Sequence, residues 1–186
     1  FIKPTLVNSI MPTNVERKLA AIMFTDIANF TALSARDENK ALELLDKQSN
    51  ILEPIIAKFK GTLHKKIGDG MLFTFQTVTE AIRCAITIQE KTNSVDKLNL
   101  RIGIHEGEVT LKDGDVLGDD VNVASRIEAF APVGGIAISG KVQQDISSLP
   151  KYQTQFIDNP NLKGVSQDVK IYGIVSHNLP QPDISK

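Results

Sequence analysis

Two aspartates carry the first chemical signal in this chain. Asp26 ends the apolar run Lys18-Leu-Ala-Ala-Ile-Met-Phe24-Thr25, and Asp69 lies in Gly68-Asp69-Gly70 after the alternating stretch 62–67. Carboxylates that directly follow apolar strands are exposed at one sheet edge and can converge across neighbouring strands. Two hard oxygen ligands suit Mg²⁺ when substrate phosphates complete its shell. Taken singly, each is equally well a turn residue. Asn122 and Arg126 form a second pair, four apart and therefore on one side of a helix. A guanidinium can meet a phosphate bidentately, and an amide can fix a ribose oxygen. The same spacing also describes a solvated face on which Arg126 pairs with Asp119 or Glu128. Lys65, by strict alternation, shares a strand face with Leu63 and Ile67, an unusual setting for a lysine unless it snorkels. Asp115 and Lys163 lie in glycine-bearing loops, where solvated charge is the default. His64, His105 and His177 have no metal-cluster spacing, and His105 reads as a core residue. No Walker phosphate loop is present.

These residues must be positioned by an alternation of strands and helices. Residues 18–24 read as a buried strand. Ser34 with Asp37 has capping-box spacing ahead of a helical pattern that runs from Ala41 to Phe59. Pro54 predicts a kink or break near Glu53, and Gly61 a stop. Thr62–Ile67 and Met71–Phe75 read as a hairpin around Gly68-Asp69-Gly70. Thr79–Lys91 is an amphipathic helix and Leu100–Leu111 a long strand. Asp120 is placed to cap a helix over about 121–130, ahead of Pro132. A short strand at 135–138, a helix capped by Ser139, and strands at 152–157 and 169–175 follow. The order predicts an α+β fold, an α/β sandwich built on a ferredoxin-like βαββαβ core with additional strands and helices. Residues 1–15 read as an N-terminal arm or linker, 16–176 as one globular domain, and 177–186 as a frayed tail.

Bulk composition narrows the classes. The 186 residues are 41% hydrophobic and 23% charged, which suits a globular domain. With 21 basic and 22 acidic residues the net charge is -1, so no general attraction to nucleic acid or to an acidic membrane follows. The single cysteine, Cys84, makes no internal disulfide and reads as core. There is no run of 18 apolar residues and no leader pattern, so a cytoplasmic domain is expected. The start at Phe1 suggests a piece of a longer protein, in which any membrane anchor would lie elsewhere.

Four blocks, in order, strongly resemble the class III adenylate and guanylate cyclase catalytic domain. They are Phe24-Thr-Asp-Ile-Ala-Asn-Phe-Thr31, Lys65-Lys-Ile-Gly-Asp69-Gly, Arg101-Ile-Gly-Ile-His-Glu-Gly107 and Gly118-Asp-Asp-Val-Asn-Val-Ala-Ser-Arg126. The resemblance extends from about Lys18 to Ile174. It implies a head-to-tail homodimer that closes ATP into 3′,5′-cyclic AMP and pyrophosphate on two divalent cations, Mg²⁺ or Mn²⁺. One chain would supply Asp26, Asp69 and the Ile27 carbonyl to the metals, and the amides around Asn29, Phe30 and Thr31 to the triphosphate. The other would supply Lys65 and Asp115 to adenine, Asn122 to the ribose, Arg126 to the α-phosphate and Lys163 to the terminal phosphates. Guanylate cyclases of this family typically carry glutamate and cysteine in place of the Lys65–Asp115 pair. Some members use an arginine on the phosphates where this chain has Glu108. The competing expectations are a guanylate or relaxed-specificity cyclase, and a non-catalytic nucleotide-responsive dimerisation module. A regulatory or sensor domain is expected on the same full-length chain.

Overall fold

A computed structural model describes residues 14–184. Its described residues form an eight-stranded sheet ordered β2-β3-β1-β4-β6-β8-β7, with β5 paired to β4. The first four strands in chain order are β1 (Val15–Ile27), β2 (Thr62–Ile67), β3 (Gly70–Phe75) and β4 (Leu100–Lys112). They are joined by α1 (Phe30–Arg36), α2 (Glu38–Lys58) and α3 (Val78–Thr92), giving the expected βαββαβ core. Then come β5 (Asp115–Leu117), α4 (Asp119–Ile127) with a 3-10 turn at Glu128–Phe130, and β6 (Ile136–Ser139). The last elements are α5 (Gly140–Ile146), β7 (Thr154–Asp158) and β8 (Ile171–Ile174). β4 and β6 run parallel, and the other pairings are antiparallel.

Alternation along β1 divides its side chains between two cores. Ala21, Met23 and Ile27 enter the main core with Met71, Phe73 and Phe75 and the apolar faces of α2 and α3. Ala20, Ile22 and Phe24 face the other way, onto α4 through Val121 and Ala124. β1 is therefore buried from both sides, which explains its nearly continuous apolar run.

Several local expectations change in three dimensions. Asp37, not Ser34, caps α2, accepting from the Lys40 N–H at 3.1 Å, because Ser34 is already inside α1. α2 continues through Pro54 to Lys58. Pro54 and Asn50 are both exposed, so the carbonyl that loses its helical donor can be hydrated. The hairpin turn is Gly68-Asp69, with Ile67 opposite Gly70 and a positive φ of 59° at Gly68. Gly118, not Asp120, occupies the N-cap position of α4. Of the arm expected at 1–15, residues 1–13 lie outside the described residues and Val15 already belongs to β1. Of the tail expected to fray at 177–186, Leu179 joins the main core and Pro182 is buried, while Ile184 is exposed.

Candidate active site

Asp26 and Asp69 meet at the end of adjacent strands, a convergence that their positions allow. The register Thr25↔Met71 brings the β1 end beside the hairpin turn. The Ile27 N–H donates to Asp69 Oδ2 at 2.8 Å, so Asp26, Ile27 and Asp69 form one corner. Gln48, buried on α2, donates to the Asp69 carbonyl at 3.2 Å and holds the turn from below. Asp26 Oδ1 is buried and has no hydrogen-bond donor. Burial raises the Asp26 carboxyl above its ordinary range, and Asp69 adds to this; a hydrogen bond with Glu128 and the Arg101 charge oppose it. A cation at this corner would relieve both desolvation and repulsion.

Glu128 is a third carboxyl here that residue-by-residue reading missed. It lies two positions past Arg126, on the opposite side of the helix, where the only sequence signal was a possible partner for that arginine. Its Oε2 is buried without a donor. Burial first, then its contact with the Asp26 carboxyl, push its pKa up to about 8. A protonated Glu128 can therefore donate to Asp26 while the corner holds no cation.

The placement of Glu128 follows from glycines in β4. A methyl group at Gly103 would overlap the Glu128 backbone, and one at Gly107 would overlap the Asp120 carboxylate. Eight residues of helix span about 12 Å and four residues of strand about 13 Å, so α4 lies along β4 with its two ends over the two glycines. That contact turns Val121, Ala124 and Ile127 inward and leaves Asn122 and Arg126 exposed.

Lys65 sits differently from the alternation. The β2–β3 register skips at His64: Leu63 pairs with Phe73, and Lys65 with Leu72. Phe73 belongs to the main core and Leu72 to the α4 side, so the bulge turns Lys65 onto the α4 side and leaves Leu63 on the main core. There Lys65 Nζ pairs with Asp115 Oδ1 at 2.6 Å. The hydrogen bond from Lys65, with a second from the Val116 N–H, holds the exposed Asp115 carboxyl below its usual range.

Lys163 is exposed beside Leu162, which packs against Val123 and Ile127 of α4. Asn29 takes the left-handed conformation (φ 63°) at the start of α1, with Thr31 exposed and Phe30 half-buried. Among the described residues no hydrogen bond or ion pair joins Asn122, Arg126 or Lys163 to the Asp26–Asp69 corner within the chain. His105 is buried as expected, but it is bonded at both ring nitrogens, to Ser139 and to Asp120, each at 2.8 Å.

Comparison with known proteins agrees with this geometry. The model for the adenylate and guanylate cyclase catalytic domain matches residues 14–176. A putative adenylate cyclase 3 of Rhizobium meliloti is 31% identical over 169 residues, covering 86% of this chain and 28% of that protein. An adenylate cyclase of Streptomyces coelicolor is 31% identical over 71% of this chain and 35% of its own length. This chain thus spans about a third of those relatives. The crystal structure of an adenylate/guanylate cyclase/hydrolase from Silicibacter pomeroyi superposes with a TM-score of 0.81 at 31% identity, covering 90% of this chain and 100% of that one. The catalytic core of a rhodopsin-guanylyl cyclase with converted specificity, in complex with ATPalphaS, gives 0.79 at 28% identity over 88% and 99%. With its fold, its paired carboxylates and a family match over nearly its whole length, the chain belongs to the class III adenylate and guanylate cyclase catalytic domains.

Proposed function

We propose that this domain is an adenylate cyclase, converting ATP to 3′,5′-cyclic AMP and pyrophosphate in a head-to-tail homodimer. The observation that carries the base assignment is the Lys65–Asp115 pair at 2.6 Å, turned by the bulge onto the side of the sheet that carries α4. An ammonium can donate to adenine N1 while a carboxylate accepts from the exocyclic amine. Guanine presents a donor at N1 and an acceptor at O6, the reverse polarity, and leaves both groups mismatched.

The Asp26–Asp69 corner suits hard cations, since one buried carboxylate oxygen lacks a donor and burial disfavours its charge. In the proposal Asp26, Asp69 and the Ile27 carbonyl hold two divalent ions, Mg²⁺ or Mn²⁺. Bound there, such ions would acidify the ribose 3′-hydroxyl and offset phosphate charge. The chain's own groups do the positioning. Amides at Asn29, Phe30 and Thr31 face the triphosphate, the partner subunit's Asn122 orients the ribose, and the partner's Arg126 offsets charge as the 3′-oxygen attacks the α-phosphorus. The partner's Lys163 takes the terminal phosphates. With Glu108 in place of an arginine, more of that charge falls to Lys163. The reading is supported by the lack, among the described residues, of any hydrogen bond or ion pair from Asn122, Arg126 or Lys163 to the carboxylate corner of their own chain.

The greater length of the relatives supports a regulatory or sensor domain on the same full-length chain, and the reading places this domain on the cytoplasmic side, where ATP is held. No described helix is long and apolar enough to cross a membrane. The test is cyclic nucleotide formation from ATP and from GTP, with Mn²⁺ and then Mg²⁺. ATP turnover at least tenfold above GTP turnover is expected. Equal or higher GTP turnover would overturn the base assignment, and no turnover with either would overturn the enzyme reading.

A further inference from the structure

One carboxylate ties α4, which carries Asn122 and Arg126, to β4 and to the loop that carries Lys163. Asp120 Oδ2 accepts from the Glu108 N–H of β4 at 3.0 Å. Its Oδ1 accepts from His105 Nε2 at 2.8 Å and from Gln167 Nε2 at 3.2 Å. His105 is buried, and desolvation lowers its pKa and favours the neutral ring. Beside a carboxylate its Nε2 carries the proton, and its Nδ1 accepts from the Ser139 hydroxyl at 2.8 Å. Ser139 in turn accepts from the Val142 N–H at 3.3 Å. Burial opposes ionisation of Asp120, but the hydrogen bonds from His105, Gln167 and the Glu108 N–H outweigh it and hold its carboxyl below the ordinary range. Ser139 is 1% exposed and occupied as a helix cap, so this row of Ser, His and Asp is a brace and offers no nucleophile.

We infer that Asp120 is a positioning residue for cyclisation: it locks α4 in register on β4 and tethers the loop 159–170 that bears Lys163. Asp120 is in the first turn of α4, two residues before Asn122 and six before Arg126, so its anchorage sets where both project. The absence of a side chain at Gly107 gives it room to reach the strand. Gln167 lies four residues past Lys163 and three past Gly164, whose φ of 77° turns the loop back. The loop is seated on α4 through Leu162, Val165 and Val169, and Gln167 is its polar tie to the same helix. The inference rests on the cyclase reading, because it assigns these contacts to catalytic geometry.

The experiment uses the dimeric domain with three variants, Gln167→Leu, Asp120→Asn and Lys163→Ala, in steady-state ATP kinetics with Mn²⁺, alongside binding of α,β-methylene-ATP. Gln167→Leu is expected to raise KM about fivefold and to weaken analogue binding about as much, with most of the loss in KM. It should change in the same direction as Lys163→Ala. Asp120→Asn keeps the shape but loses the charge, and should lower kcat at least tenfold as well as raise KM. A merely structural contact would reduce the amount of active enzyme, lowering kcat at unchanged KM. An active wild type whose Gln167→Leu and Asp120→Asn variants keep its KM and analogue affinity overturns the inference and leaves the cyclase reading standing. A wild type inactive on both ATP and GTP overturns the reading, and the inference with it.

Discussion

Glu128 buries one carboxyl against another, and burial is the largest of the causes that push it up to about 8. Without metal, the folded protein therefore binds more protons than the unfolded chain between the ordinary glutamate range and that value. Stability from this group is fully present at low pH and is lost as pH rises through about 8. Glu128→Gln removes the ionisable group and keeps a donor for Asp26. In chelator-treated protein we expect about 1–2 kcal/mol of the fall in stability between pH 5 and pH 8 to vanish in the variant, the Asp26 partner accounting for the rest. Urea unfolding at the two pH values measures it. Parallel slopes for wild type and variant would mean that Glu128 is already ionised in the folded state.

At the scale of elements, close approach is what makes the site. α4 can lie on β4 only because Gly103 and Gly107 have no side chains where Glu128 and Asp120 come down. Gly107→Ala places a methyl on a carboxylate that three donors already hold, so the helix must lift or the brace must break. We expect a loss of about 2–3 kcal/mol in stability and a fall of at least tenfold in cyclase rate. Gly140→Ala is the control: its added methyl meets nothing closer than 3.4 Å, and its cost should stay below about 0.5 kcal/mol. Thermal unfolding and rate measurements on both variants decide the matter; equal stability of the two would place α4 farther from β4 than this packing requires. The bulge at His64 acts at the same scale. One extra residue in β2 reverses the face of every later side chain, and so delivers Lys65 to Asp115.

On the scale of the whole molecule, no hydrogen bond or ion pair among the described residues joins the carboxylate corner to the exposed pair on α4 within one chain. If each site is shared between two chains, Asp69→Ala and Arg126→Ala should both be nearly inactive as homodimers. Mixed, they form heterodimers in which one site carries both defects and the other none. With random pairing of equal amounts, about half the dimers are mixed and each keeps one intact site, so about a quarter of wild-type activity should return. Recovery should rise with total protein concentration if the dimer is weak. The assay is cyclic AMP formation after verified subunit exchange. Exchange without rescue would return Asn122 and Arg126 to a role within their own chain.

The amino-acid sequence alone determined the kind and order of most elements, α1 and β5 excepted, because apolar periodicity is a local property. The strand before Asp26, the hairpin, the amphipathic third helix and the Ser139 cap all followed from it. The convergence of Asp26 with Asp69 it only allowed, since each is equally well a turn residue, and the β1–β3 register brought the two together. The resemblance of four short blocks named the family, and the match over residues 14–176 agrees with it. Tertiary structure alone decided which way Lys65 points, because alternation is interrupted by a pairing irregularity that depends on β3. It alone assigned Asp120, which local spacing makes a cap and three-dimensional contact makes a brace. It alone brought Glu128 to Asp26, from about a hundred residues away in the chain. Each of these depends on which surfaces touch, and contact between distant segments leaves no period in the sequence to read.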